Sequence, residues 1–110
     1  MKEYKVTISA DAIEDLQDIH SYIAFTLQAK QAARDQLNRI RKAIYDLSAF
    51  PLRHKKIERE PWTSTNIHQC PVDNYEIFYI VDEESLVVSV IRVFYSGRDV
   101  EHIIQNELDK

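Results

Sequence analysis

Glycine, cysteine and proline are scarce in this sequence: one glycine, one cysteine and three prolines among 110 residues. So little glycine and proline excludes a collagen-like repeat, a flexible linker or a low-complexity tail. The single cysteine, Cys70, excludes an internal disulfide and a multi-cysteine zinc site. Long apolar runs are missing too. The nearest to one, Leu86 to Tyr95, is broken by Ser89 and Arg92 and is too short to span a bilayer. The opening MKEYKVTISADAIEDL has no apolar segment of the kind a secretory signal needs. These absences lead us to expect a reduced, cytoplasmic protein with no membrane association. What is present, 45% hydrophobic and 29% charged residues, is ordinary for a globular chain. Its length supports one core, so residues 1–110 read as a single domain.

The net charge of −4 conceals a segregation. Residues 30–59 carry nine Lys and Arg against three acids, a local excess of +6, whereas the segments before and after it are acidic. A basic band on an acidic chain fits either one anionic partner or a solvated helix face.

The pattern predicts a strand, two helices, three strands and a last helix. Tyr4, Val6 and Ile8 alternate with polar residues, which is a strand with one buried face. Asp11 and Glu14 have the spacing of a capping box, with Asp15 and Asp18 as further acids in the first turns. Ile13, Leu16, Ile19 or His20, Ile23 and Leu27 then form a helical stripe over about 11–28. Ala33, Leu37, Ile40, Ile44 and Leu47 step by four, three, four and three, the seam of a second helix that Phe50-Pro51 ends. A short link around Gln28 to Gln31 makes the two an antiparallel hairpin.

Leu52 to Ser64 reads as a polar loop, Ile67 to Cys70 as a short strand, and Pro71 to Asn74 as a turn. Tyr75 to Val81 is apolar on both faces, as a central strand should be. Asp82 to Ser85 turns it into Leu86 to Tyr95, a second central strand rich in β-branched residues. Val100, Ile103, Ile104 and Leu108 mark a short C-terminal helix. The predicted fold class is α+β: a small, mostly antiparallel four-stranded sheet with an N-terminal helical hairpin packed on one face and the other face only partly covered.

Several segments occur in an order that resembles a known family. They are Tyr22-Ile23-Ala24 in the first helix, Leu47…Phe50-Pro51 after the second, a PVxNYxIFYxVD hairpin from Pro71 to Asp82, and RVxYxGRD from Arg92 to Asp99. Together they resemble the RelE/ParE superfamily of toxins from bacterial type II toxin–antitoxin modules, along roughly the whole chain. The resemblance implies the same fold and a toxin of a plasmid-stabilisation or addiction module. It implies a cognate antitoxin as partner, and an apolar surface that accepts the antitoxin's extended or helical segment. Two activities occur in that superfamily, ribosome-dependent mRNA cleavage and non-enzymatic inhibition of DNA gyrase. We expect a metal-independent mRNA endoribonuclease with the ribosome and mRNA as partners, the ParE-like gyrase inhibitor being the alternative.

An RNase of this type has to activate a ribose hydroxyl, hold the phosphorane and protonate the leaving oxygen. Arg92 interrupts an apolar strand, where an arginine is costly unless it reaches water or a partner. It reads as a phosphate clamp or partner anchor, or as one half of a salt bridge to an acid such as Glu76 on the adjacent strand. Tyr95, near the strand end, is a candidate proton donor or stacking platform, or else an aromatic that closes the sheet. Arg98 is a second phosphate candidate, and its neighbour Asp99 a helix cap. His68 stands where many RelE-like toxins carry arginine, and is either an acid–base group or structural. Arg53, His54, Lys55, Lys56 and Arg59 form the densest positive segment, a nucleic-acid-binding candidate. Trp62 covers the core edge or anchors a partner. None of the four histidines has a ligand partner at a metal spacing, so no metal and no cofactor is expected. Cys70 reads as core.

Overall fold

The computed structural model describes residues 3–57 and 66–96. The expectations for Arg59, Trp62, Arg98, Asp99 and the helix at Val100–Leu108 lie outside these residues.

β1 (Lys5–Ile8) leads into α1 (Ala10–Ser21), which continues as a π-helical turn over Tyr22–Thr26. α2 (Lys30–Asp46) and a 3-10 turn at Pro51–Arg53 follow. β2 (Ile67–Val72), β3 (Tyr75–Asp82) and β4 (Val87–Tyr95) complete the described chain. The strands form one sheet in the order β1-β4-β3-β2, antiparallel except for the β1–β4 pair. The predicted α+β architecture of a helical hairpin on a four-stranded sheet is therefore observed.

The first helix starts differently from the expectation. Its cap is Ser9, whose Oγ accepts the Ala12 N–H at 3.0 Å and donates to the Ile91 carbonyl at 2.9 Å. A serine one residue beyond the last strand position can serve helix and sheet together, and that excludes the capping box at Asp11. The helix also ends earlier, because the turn widens to a bond from Leu27 N–H to the Tyr22 carbonyl. Gln28 then takes φ 54°, which reverses the chain into α2.

α2 follows its seam: Ala33, Leu37, Ile40 and Ile44 are buried, as is Leu47 just beyond. Each large aliphatic buried this way contributes about 1.5–3 kcal/mol of transfer free energy. Leu37, Ile40, Ile44 and Leu47 pack on Tyr4, Leu16, Cys70, Ile77, Tyr79, Val88, Val90 and Val93. Ile23, Ala24 and Ala33 close the hairpin at its far end through small contacts.

β2 runs through Pro71, which sequence alone assigns to the turn. It is an edge strand of the described sheet, and a proline is tolerated there because its missing N–H need not join a ladder. Only Asp73 and Asn74 remain between the strands. Between Phe78↔Arg92 and Tyr79↔Val90 the register slips, leaving Ile91 as a bulge. The bulge lets Val90 and Val93 both face the helices, whereas Arg92 and Phe94 face away. On that outer face Ile57, Ile67, Phe78 and Phe94 form a second buried cluster. The face expected to be only partly covered thus holds some of the most buried side chains.

Candidate functional site

β1 pairs with β4 only as far as Ile8↔Val90, and beyond that point no strand among the described residues pairs with this edge of β4. α1 crosses this edge. Asp15, on the buried stripe of α1 beside Ala12 and Leu16, points its carboxylate at the edge. It accepts the Val93 N–H at 2.9 Å and two bonds from Arg92, Nε at 2.8 Å and a terminal guanidinium nitrogen at 2.9 Å. The Arg92 guanidinium also lies 4.6 Å from the centre of the Phe94 ring. The Arg92 side chain is 19% exposed and that of Asp15 9%. Its partner is thus Asp15, from the helix, rather than Glu76.

Tyr95, at the end of β4, pairs with Tyr75 at the start of β3, and their rings meet edge to face at 5.7 Å. Tyr95 is exposed, whereas burial raises the Tyr75 hydroxyl above its ordinary range, helped by Tyr95 and Tyr22. Here β3 and β4 face a groove of about 910 Å³ beneath the helical hairpin. Asp18 of α1, Asp35 of α2 and Tyr22 of the π turn line it together with Tyr75 and Tyr95. Arg39 reaches it too, but its Nε is bound to Asp73 at 2.7 Å. That bond, with one from Gln36, holds the Asp73 carboxyl below the usual carboxylate range.

His68 lies elsewhere. It pairs with Tyr79 across β2 and β3, is 3% exposed, and stacks on the Tyr79 ring at 5.2 Å. Its Nδ1 is 2.8 Å from the His54 carbonyl, and since a carbonyl can only accept, Nδ1 carries the proton. Tyr79 donates its hydroxyl to the Pro51 carbonyl, and burial pushes that hydroxyl far above its ordinary range. The Lys55 carbonyl accepts from Gln69 N–H, and Ile57 N–H donates to the Ile67 carbonyl. These bonds fasten the segment 51–57 along β2 and leave Arg53, Lys55 and Lys56 exposed. His54 is half-buried, and burial, then Arg53 and His68, lower its pKa. Cys70 is buried, which pushes its thiol up.

Among the described candidates for catalysis, His68, Tyr95 and Arg92 start from different places on the sheet. His68 and Tyr95 share the helix-facing side but are separated by the four-residue step from Tyr79 to Tyr75, about 13 Å along a strand. Arg92 starts from the opposite side and folds round the edge to Asp15. Among the described residues no group of three or more His, Cys, Asp or Glu could hold a metal ion. No helix among them is long and apolar enough to cross a membrane.

This ordered framework can be set beside known proteins. The family model for the ParE toxin of the type II toxin–antitoxin system parDE matches residues 6–100. The chain belongs to the ParE toxin family. It is a type II toxin of the RelE/ParE superfamily. The chromosomal ParDE system of P. aeruginosa contains a chain similar in fold, with a TM-score of 0.71 and 11% identity, over 86% of this chain and 98% of that one. The RelBE2 toxin–antitoxin complex of Mycobacterium tuberculosis gives 0.63 and 24% over 84% and 98%. A double mutant of E. coli toxin RelE in the free state gives 0.65 and 15% over 97% of both chains. A search of curated proteins finds no match.

Sequence reasoning overlooked Asp15 as a site residue of this ParE-family chain. The signal was there, since Ala12, Asp15, Leu16 and Ile19 follow the spacing of one helical stripe. An acid on an apolar stripe and an arginine in an apolar strand are complementary anomalies. The groove residues Tyr22, Asp18 and Asp35 carried no such signal, because their convergence depends on the π turn and the hairpin geometry.

Proposed function

We propose that this toxin arrests bacterial growth in the ParE manner, by binding DNA gyrase in the cytoplasm, and that a cognate antitoxin neutralises it. The reading rests on the engagement of Arg92 by Asp15 and on the distance of His68 from Tyr95 along the sheet. Phosphodiester cleavage requires a base, an acid and a phosphate clamp within hydrogen-bond reach of one phosphate. Inhibition by binding requires only a surface. The family match and the solved toxin–antitoxin assemblies of similar fold support the antitoxin as partner.

The exposed Arg53, Lys55 and Lys56, held rigidly along β2, favour a second reading: mRNA cleavage at the ribosome, with this segment on RNA. Expression of the chain alone in a bacterium, with labelled precursors followed into DNA and protein, separates the two. An early fall in DNA synthesis with a DNA-damage response is the result expected. An early collapse of protein synthesis with DNA synthesis intact would overturn the gyrase reading and favour RNA cleavage.

A further inference from the structure

The groove between the helical hairpin and the ends of β3 and β4 combines features that select one kind of occupant. Tyr22, Leu27 and Tyr95 are each more than half exposed there, at 54%, 55% and 53%. Large apolar side chains gathered at one concavity mark an interaction surface. Asp18 from α1 and Asp35 from α2 add negative charge. Asp35 accepts a neutral bond from the Gln31 side chain at 2.9 Å, and neither carboxylate has an ion pair among the described residues. Arg39, the one cation among the described residues that line the groove, is drawn to Asp73 at its margin. With Asp15 engaged by Arg92, the space offers two further carboxylates and the rings of Tyr22, Tyr75 and Tyr95, which favour a cation with an apolar stem.

We propose that this groove receives an arginine or lysine side chain carried on an apolar segment of a protein partner. Its identification with the antitoxin rests on the function proposed above. Carboxylates on both helices hold the cationic head, the tyrosine rings flank it, and Ile19 and Leu27 receive the apolar neighbours.

The probe is a labelled leucine–arginine helical peptide, set against the same peptide with glutamine at every arginine, both titrated into the full chain by fluorescence anisotropy. The arginine peptide is expected to bind roughly tenfold tighter, by an advantage that shrinks as salt rises. The Asp18→Asn/Asp35→Asn variant, altered only at exposed positions, is expected to lose that advantage. Tyr95→Leu is expected to weaken the arginine peptide more than the glutamine one. Equal binding of the two peptides to the unaltered chain, or an advantage kept by the double Asn variant, overturns the proposal. So does a change in the chain's own oligomeric state on removing the carboxylates, which would assign the groove to a second copy. Growth arrest on expression alone reports separately on the toxin reading. Its failure in the unaltered chain would sink that reading and leave the peptide result standing.

Discussion

Asp15 and Arg92 meet across the open half of the β4 edge, and the same carboxylate also takes the Val93 N–H. One side chain of α1 thus does what a further strand would do, satisfying the backbone where β1 has turned away. Removing Asp15 takes two hydrogen bonds from a largely buried guanidinium and the acceptor from the Val93 amide. Asp15→Ala is expected to cost about 3–5 kcal/mol by urea denaturation, and Arg92→Ala a similar amount. The double variant should cost less than the sum, with a coupling of about 1–3 kcal/mol. Independent, additive losses would show that the pair does not hold helix to sheet. Loss of toxicity in Arg92→Ala then reports on folding before it reports on chemistry, so its stability has to be measured alongside.

Ser9 joins the same two elements from the chain side. Its Oγ caps α1 at Ala12 and donates to the Ile91 carbonyl, at the bulge. Ser9→Ala removes both bonds, and a destabilisation of about 1–2 kcal/mol is expected. Ser9→Thr keeps the oxygen and should recover most of it. An equal loss in both variants would place the effect in packing at the β1–α1 junction.

Period-two and helical spacing revealed most of this fold because each reflects one buried face. The α2 seam from Ala33 to Leu47 and the alternation in Tyr75–Val81 are direct imprints of burial. The bulge at Ile91 left no such imprint. Leu86 to Tyr95 is β-branched or aromatic in both phases, so a one-residue slip costs the sequence pattern nothing while it redirects Arg92. For the same reason the pairing of Arg92 with Asp15 could not be read from the strand pattern. The π turn was hidden likewise, since Ile23 and Ala24 are buried whether the turn is regular or wide.

Two tyrosines of β3 and β4 should respond oppositely to loss of the hydroxyl. Tyr79 is fully buried and donates to the Pro51 carbonyl, which has to stay near it once the 3-10 turn is docked. Tyr79→Phe strands that carbonyl and is expected to cost about 1–3 kcal/mol. Tyr95 is exposed at the groove, so Tyr95→Phe should shift stability by no more than about 0.5 kcal/mol. On the proposed gyrase reading, growth arrest by Tyr95→Phe is expected to persist, because binding alone needs no proton from that hydroxyl. Arrest abolished in a variant of unchanged stability would restore Tyr95 as a proton donor and favour the nuclease.

His54 sets a pH dependence whose sign follows from its surroundings. Burial, Arg53 and His68 all disfavour its charged form, so its folded pKa lies below the ordinary 6.5. As pH falls through 6.5 the unfolded chain takes up a proton that the folded chain still refuses. The contribution of His54 to stability is therefore complete above that value and is lost as pH drops toward the lowered folded one. Urea midpoints taken on either side of 6.5 should fall with acidification in the unaltered chain. In His54→Gln the fall should be smaller, while the backbone carbonyl that accepts from His68 Nδ1 is preserved. An identical fall in both chains would assign the acid sensitivity to another group and leave His54 as a spacer in the basic segment.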